Sequence, residues 1–153
     1  MTTVHEATKA DIPYMVAAGQ RLFYEARSLK FEFDPEKARK IGNDLIGTEY
    51  CVAFKMLNDN NEPIGFIMGI VYPALWGEHK QVVDVAVFIE KPYRNSGAGL
   101  MLIQAYVDEC KRRGIEDIVI GISACINNES AKHVMEKIGF QSVGYLMQYM
   151  GQT

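Results

Sequence analysis

A strand that runs directly into a glycine-bearing turn and then into a helix is the feature that most constrains this chain. The apolar run Val85, Val87 and Ile89 predicts a half-buried strand, which ends before Pro92. Residues 94–99, with the sequence RNSGAG, then lead into an apolar helical pattern. Backbone N–H groups at a helix N-terminus bind anions, and glycines let the ligand approach the backbone closely. The stretch therefore predicts a phosphate-binding turn.

The composition limits the class of protein and of partner. The chain has 153 residues, of which 48% are hydrophobic and 23% charged, and a formal net charge of −3 at pH 7. These values predict one globular domain spanning residues 1–153. The slight acidity gives no general attraction for nucleic acid or an anionic membrane, so any anion site has to be local. No apolar run approaches the roughly 18 residues of a membrane span, and the first residues do not resemble a signal peptide.

Cysteine usage argues against a metal centre and for a reducing compartment. The three cysteines, Cys51, Cys110 and Cys125, are widely separated and form no Cys-x-x-Cys pair or Cys/His cluster. A structural zinc site needs such spacing, so we expect no bound metal. An odd number of dispersed cysteines is typical of reduced thiols, and we therefore expect a cytoplasmic location.

The remaining periodicity predicts a mixed α/β chain. Capping residues precede two helical patterns in the first third of the chain, and Asp34 followed by Pro35 is typical of a helix start. Apolar strands and further helices then alternate. The predicted strands are 3–7, 50–57, 64–71, 81–89, 117–124 and 143–150, and the predicted helices are 12–23, 35–46, 100–113 and 128–138.

This order of elements, with RNSGAG after the fourth strand, closely resembles the GNAT superfamily of acetyl-CoA-dependent N-acetyltransferases. Arg94, Gly97 and Gly99 match the family motif Arg/Gln-x-x-Gly-x-Gly/Ala. A second family segment, Asn-x-x-Ala followed by Gly-Phe, is matched by Asn128, Ala131, Gly139 and Phe140. The resemblance covers essentially the whole chain. It implies an α/β (α+β) fold with a mixed, mostly antiparallel sheet of six to seven strands, splayed between strands 4 and 5 and flanked by about four helices.

The resemblance also implies where acetyl-CoA binds. Turn amides of residues 95–100 would cradle its pyrophosphate, and Arg94 would add a charge-assisted contact. Main-chain groups of the fourth strand would pair with the pantetheine arm, and Asn128 would touch the pantetheine or nearby water. Both side chains also have structural interpretations, Arg94 as a solvated turn residue and Asn128 as a helix cap. The implied binding residues are Val87, Phe88, Ile89, Arg94, Asn95, Ser96, Gly97, Ala98, Gly99, Leu100 and Asn128.

Acetyl transfer to an amine requires the neutral amine, and a lysine-type amine with a pKa of about 10.4 is rarely neutral at pH 7. Asp84, which interrupts an apolar run, is the candidate general base. The alternative is that Asp84 faces solvent or pairs with a base such as Lys80. Glu90 is expected to be a surface charge at a strand end, and His79 is a weaker candidate for proton relay.

One position departs from the family pattern. Many members carry a tyrosine eight positions into the Asn-x-x-Ala segment, where it protonates the departing thiolate. That position is Met135 in this chain, and methionine cannot donate a proton. Water alone, Tyr145 or Tyr149 on the last strand, or Cys125 would have to replace it. Otherwise the domain binds acyl-CoA without catalysing transfer.

The resemblance therefore predicts an N-acetyltransferase that moves the acetyl group of acetyl-CoA to a primary amine by direct attack in a ternary complex. A non-catalytic acyl-CoA-binding module is the alternative. A dinucleotide-binding module would place an acidic ribose ligand after the next strand, whereas Glu116 and Asp117 precede it or begin it. The first two helices, their connection and the loop 73–80 are expected to form the acceptor pocket, and a homodimer built on the last strands is a further expectation.

Overall fold

A computed structural model describes residues 1–26, 31–121, 128–149 and 151 of the chain. Five strands and four α-helices are present in these ranges, with short 3-10 turns before the first and third helices. The strands are β1 (Thr3–Glu6), β2 (Cys51–Leu57), β3 (Pro63–Pro73), β4 (Lys80–Ile89) and β5 (Asp117–Val119). The helices are α1 (Ile12–Ala26), α2 (Pro35–Leu45), α3 (Ala98–Arg112) and α4 (Asn128–Lys137).

The strands form one mixed sheet in the order β1-β2-β3-β4-β5. The first three pairings are antiparallel, and β4 pairs with β5 in parallel. The β4–β5 ladder extends only from Gln81–Asp117 to Val83–Val119, whereas β3 pairs with β4 along almost its whole length. The mixed, mostly antiparallel sheet is therefore confirmed. The described residues contain five strands, one or two fewer than expected.

The prediction of a last strand at 143–150 is wrong for the described residues of that range. No strand is present at residues 141–149, and the predicted strand 117–124 ends at Val119. The side chains of Val143, Tyr145 and Met147 are almost wholly exposed, so the alternating pattern is not matched by burial of one face. The edge strand β5 is three residues long in the described chain and offers only a short template for another strand.

Helices cover both faces of the sheet, and each face has its own core. On one face Val52, Ile67 and Val82 pack against α3 and against Met135 of α4. On the other face the alternate residues of the same strands, among them Ala53, Phe66 and Phe88, pack against α1. This period-two division explains why β2, β3 and β4 consist almost entirely of apolar residues.

A β-bulge interrupts β4 in its middle. Met68 pairs with Ala86 and Gly69 pairs with Asp84, so Val85 is the extra residue on β4. A side chain at Gly69 would collide with the Tyr106 hydroxyl, which lies 1.8 Å from the position of an ideal Cβ. Glycine at this position lets the buried tyrosine of α3 approach the sheet directly beside the bulge.

Capping residues mark the N-terminal ends of α1 and α2, the two helices that cover the second face. Thr8 and Asp11 form a capping box before α1, and Lys55 on β2 binds the Asp11 carboxylate at 2.8 Å. Asp34 caps α2 by accepting a hydrogen bond from the backbone N–H of Lys37 at 3.1 Å. Among the described residues, no helix is long and apolar enough to cross a membrane.

Candidate active site

The glycine turn links β4 to α3. Residues Lys91–Tyr93 form a short 3-10 turn, and the chain then reverses through left-handed conformations at Asn95 (φ 64°) and Gly97 (φ 86°). Gly97 is the N-cap of α3 and provides no capping side chain. Because the first N–H groups of a helix have no partner within the helix, they are available at this turn to an external acceptor.

The space beside the two turn glycines is open among the described residues. An ideal Cβ placed on Gly97 or on Gly99 would meet no atom of the described residues within 4 Å. The two glycines are thus not required by packing inside the protein at these points. They leave open space beside the N-terminus of α3, where the partial positive charge of the helix favours an anion.

The side chain of Arg94 is engaged away from this space. Its Nε donates to the carbonyl oxygen of Ile89 at 2.8 Å, and its two terminal nitrogens donate to the Glu25 carboxylate at 2.7 and 3.1 Å. The bidentate hydrogen bond lowers the pKa of Glu25 and raises that of Arg94. A phosphate contact by Arg94 stays a prediction. In this structure the guanidinium forms an ion pair that links the turn to Glu25 of α1.

A second ion pair lies beside the first. Glu90, at the end of β4, pairs with Arg21 of α1 and accepts a hydrogen bond from the Tyr14 hydroxyl at 3.2 Å. Both guanidinium groups lie over the Phe88 ring, with Arg21 and Arg94 at 5.5 and 5.6 Å from its centroid. The sequence gives no signal for this cluster, because its paired residues are about 70 positions apart and no local pattern links them.

Asp84 lies where β4 and β5 stop pairing. Its Oδ1 accepts a hydrogen bond from the backbone N–H of Gly121 at 2.8 Å, beyond the last ladder pair at Val119. Burial raises the pKa of the Asp84 carboxyl, although the backbone N–H groups of Gly121 and of Asp84 itself act in the opposite direction. Neither alternative from the sequence, a solvent-facing carboxylate or a pair with Lys80, describes this position.

A cavity of about 510 Å³ opens on Asp84. The residues around the bulge form one wall, and α1 and α2 form the others. The apolar side chains of Met15, Phe23, Phe33 and Ile41 contribute to this surface. The first two helices thus help to form a pocket beside β4, as the sequence predicted, but residues of the loop 73–80 do not line its described surface.

A family model described as the acetyltransferase (GNAT) family matches residues 18–140. The chain belongs to this family. The search against curated protein sequences returned no match.

Solved structures of GNAT-type acetyltransferases share the fold of this chain. A predicted acetyltransferase from Clostridium acetobutylicum, solved with acetyl-CoA, is 18% identical with a TM-score of 0.75, covering 97% of this chain and 96% of its own. The aminoglycoside N-acetyltransferase AAC(6')-Iy, solved with a CoA-containing bisubstrate analogue, is 14% identical with a TM-score of 0.76, covering 100% and 99%. An acetyltransferase from Trypanosoma brucei is 14% identical with a TM-score of 0.71, covering 97% and 99%.

None of the described candidate proton donors of this GNAT chain lines the pocket. Met135, which stands where many family members have a tyrosine, is buried in the core between α3, α4 and the sheet. Tyr145 and Tyr149 lie in the exposed segment after α4, and 95% of the surface of Tyr145 is accessible, so neither lines the pocket. Cys125 lies outside the described residues. Asn128 begins α4 and is partly buried, and its contact with pantetheine stays a prediction.

Two further expectations concern His79 and metal ligands. His79 Nε2 lies 2.8 Å from Oδ2 of Asp117, at the opposite end of β4 from the glycine turn, and it does not line the pocket. The position favours a structural contact over proton relay. In the ranges that the structure describes, no group of three or more His, Cys, Asp or Glu side chains is arranged to hold a metal ion.

Proposed function

We propose that this GNAT-family protein transfers the acetyl group of acetyl-CoA to a primary amine by direct attack in a ternary complex. One observation carries the proposal: a single strand, β4, leads into the glycine turn at its end and carries Asp84, beside a cavity, near its bulge. The family relationship and the acetyl-CoA and CoA complexes of similar structures support the same conclusion.

Acetyl-CoA would lie along the second half of β4 and end at the turn. Among the described residues β5 pairs with β4 only as far as Val83, and the pantetheine arm would pair with the main chain that follows. The open space before the glycines would take the pyrophosphate. The residues proposed to hold the substrate are Val87, Phe88, Ile89, Arg94, Asn95, Ser96, Gly97, Ala98, Gly99, Leu100 and Asn128.

Asp84 would act as the general base. The raised pKa of its carboxyl makes the carboxylate a stronger proton acceptor than an exposed aspartate. The ammonium group first loses one proton to water, which gives the neutral amine. As the neutral nitrogen attacks the thioester carbon, Asp84 takes its second proton, the new C–N bond forms and the C–S bond breaks. The thiolate leaves with a proton from water, because Asp84 is the only ionisable side chain among the described residues that line the cavity.

Two measurements on the same preparation test the proposal. Calorimetric titration with acetyl-CoA reports binding, and release of free thiol in the presence of a panel of primary amines reports transfer. For the wild-type protein we expect saturable acetyl-CoA binding and amine-dependent thiol release. Asp84→Asn should lower the kcat of that release by about 100-fold. Binding without thiol release for any amine supports the alternative function, a non-catalytic acyl-CoA-binding module, which the buried Met135 favours.

The proposal includes a homodimer and a cytoplasmic location. Val143, Tyr145, Leu146 and Met147 are exposed apolar side chains in one short segment, a surface that a second copy would cover. Light scattering should give twice the mass of the 153-residue chain, and deletion of residues 141–153 should return the mass of one copy. The free, buried thiols of Cys51 and Cys110 agree with a reducing compartment.

A further inference from the structure

The described wall of the cavity beside Asp84 combines a single carboxylate with apolar side chains. Its described surface is formed by aliphatic and aromatic side chains of α1, α2, β3 and β4 and by glycines. Asp84 is the only described lining residue with an ionisable side chain, and no lysine or arginine of the described chain lines the cavity. The charge pattern of this wall selects among the amines that an acetyltransferase could accept.

An acceptor with several cationic groups does not match this surface. Each ammonium group that enters the cavity loses hydration and needs a carboxylate partner. Asp84 can serve one such group. The acids nearest the glycine turn, Glu25 and Glu90, are already paired with Arg94 and Arg21.

An acceptor with its own carboxylate does not match either. A free amino acid would bring a negative charge into the same space as Asp84, and no cation of the described wall would compensate it. The apolar wall instead favours a substantial hydrocarbon body, because burial of apolar surface is favourable in proportion to its area.

We infer that the acceptor is a monoamine with an aryl or alkyl body and no carboxylate. The ammonium group lies against Asp84, and the body fills the apolar cavity between α1 and α2. This inference rests on the proposed acetyl transfer for its biological meaning, but amine binding to the cavity is measurable without acetyl-CoA.

Gly19 on α1 offers a way to fill the cavity without disturbing the fold. It lines the cavity, and an ideal Cβ there meets only the Phe33 ring, at 4.0 Å. Glycine is also a poor residue in a helix interior, so alanine or leucine favours α1. Gly19→Leu is therefore the blocking variant and Gly19→Ala its matched control.

Calorimetric titration of the full chain without acetyl-CoA tests the inference with closely related compounds. We expect 2-phenylethylamine to bind at least tenfold more tightly than each of three comparison compounds. These are phenylalanine, which adds a carboxylate, 2-phenylethanol, which lacks the positive charge, and spermidine, which adds positive charges. Gly19→Leu should lose at least tenfold in affinity for 2-phenylethylamine, while Gly19→Ala keeps it. Equal or tighter binding of spermidine or phenylalanine overturns the inference.

Thiol release separates this inference from the proposed function. Binding of 2-phenylethylamine without acetyl transfer to any amine of the panel contradicts the enzyme and leaves the monoamine pocket standing. Transfer to spermidine or an aminoglycoside but not to 2-phenylethylamine contradicts the pocket and leaves the enzyme standing. If circular dichroism shows that Gly19→Leu is unfolded, Ile41→Trp, on the exposed side of the cavity wall, gives the same blocking test.

Discussion

The backbone N–H of Gly121 donates to Oδ1 of Asp84 across 2.8 Å, two residues beyond the last β5 partner of β4. A side chain thus takes up a backbone donor at the point where the sheet stops pairing. The same side chain lines the cavity, next to the bulge at Val85. The candidate base is therefore positioned by an interruption of regular structure.

Replacement of Asp84 by asparagine should stabilise the protein at neutral pH. The folded-state pKa of Asp84 lies above its ordinary value of 3.8, so the folded chain binds more protons than the unfolded chain just above that pH. The contribution of Asp84 to stability is therefore present below the unfolded pKa and is lost as pH rises through the folded pKa. Urea unfolding should show the advantage of Asp84→Asn growing from pH 4 to neutral pH, and an advantage independent of pH would contradict the cause assigned to the shift.

Acetyl transfer should depend on pH through the same group. The wild-type rate should fall as pH decreases through the raised pKa of Asp84, because the protonated carboxyl cannot accept the amine proton. In Asp84→Asn the loss should be about 100-fold at neutral pH and smaller at high pH, where more amine is neutral. A loss of the same size at every pH would assign Asp84 a structural role.

Valine substitutions at the two turn glycines should separate backbone strain from ligand binding. Gly97 has a φ of 86°, so Gly97→Val should lower the free energy of unfolding by about 1–2 kcal/mol. Gly99 has no atom within 4 Å of an ideal Cβ, and Gly99→Val should stay within about 0.5 kcal/mol of wild type. Calorimetry should show at least tenfold weaker acetyl-CoA binding in both variants, and unchanged affinity in Gly99→Val would refute the phosphate assignment.

Much of the fold follows from local patterns in the sequence. The run around Val87 and the glycines at 97 and 99 predicted β4, the turn and α3, because period-two burial and helix capping act between near neighbours. Asp34 likewise predicted the start of α2. The strand predicted at 143–150 was wrong over its described residues because alternation describes side-chain faces and not the presence of a partner strand.

The parts of the site that were missed depend on distant pairs. Arg94 was expected at the phosphate, but Glu25 lies 69 positions away and holds it in the structure. The bulge at Val85 lies opposite the close contact of Gly69 with Tyr106, and no pattern within β4 indicates that contact. The sequence indicates that Asp84 is unusual, because a carboxylate in an apolar run is costly to bury without a partner. It does not indicate the partner, which is the backbone N–H of Gly121.

The Tyr106 hydroxyl should be a source of instability. The side chain is completely buried, and its oxygen has no hydrogen-bond partner among the described residues. Tyr106→Phe removes an unsatisfied polar group and should raise the free energy of unfolding by about 1 kcal/mol. Urea unfolding checks this, and a destabilised Tyr106→Phe would show that the hydroxyl has a partner.

The same hydroxyl limits the size of the residue at position 69. The Cβ of Gly69→Ala would collide with it, so this variant should be destabilised, and Tyr106→Phe should partly rescue it.

The Glu25–Arg94 pair should couple α1 to the glycine turn. Both side chains are about one-quarter exposed (24% each), and a bidentate pair of this kind should give a coupling of about 1 kcal/mol in a double-mutant cycle of Glu25→Gln and Arg94→Gln. Because the folded pKa of Glu25 is lowered, the coupling is present above the ordinary value of 4.5 and is lost as pH falls through the folded pKa.

Acetyl-CoA kinetics on the same variants distinguish a fastening role for Arg94 from a phosphate contact. If the guanidinium acts only by holding the turn to α1, Glu25→Gln and Arg94→Gln should raise the KM for acetyl-CoA equally, and the double variant should add nothing. If Arg94 also reaches the phosphate, Arg94→Gln should raise that KM, because a phosphate contact is lost. In that case Glu25→Gln, by releasing Arg94, should lower the KM, so the sign of the Glu25→Gln effect decides between the two roles.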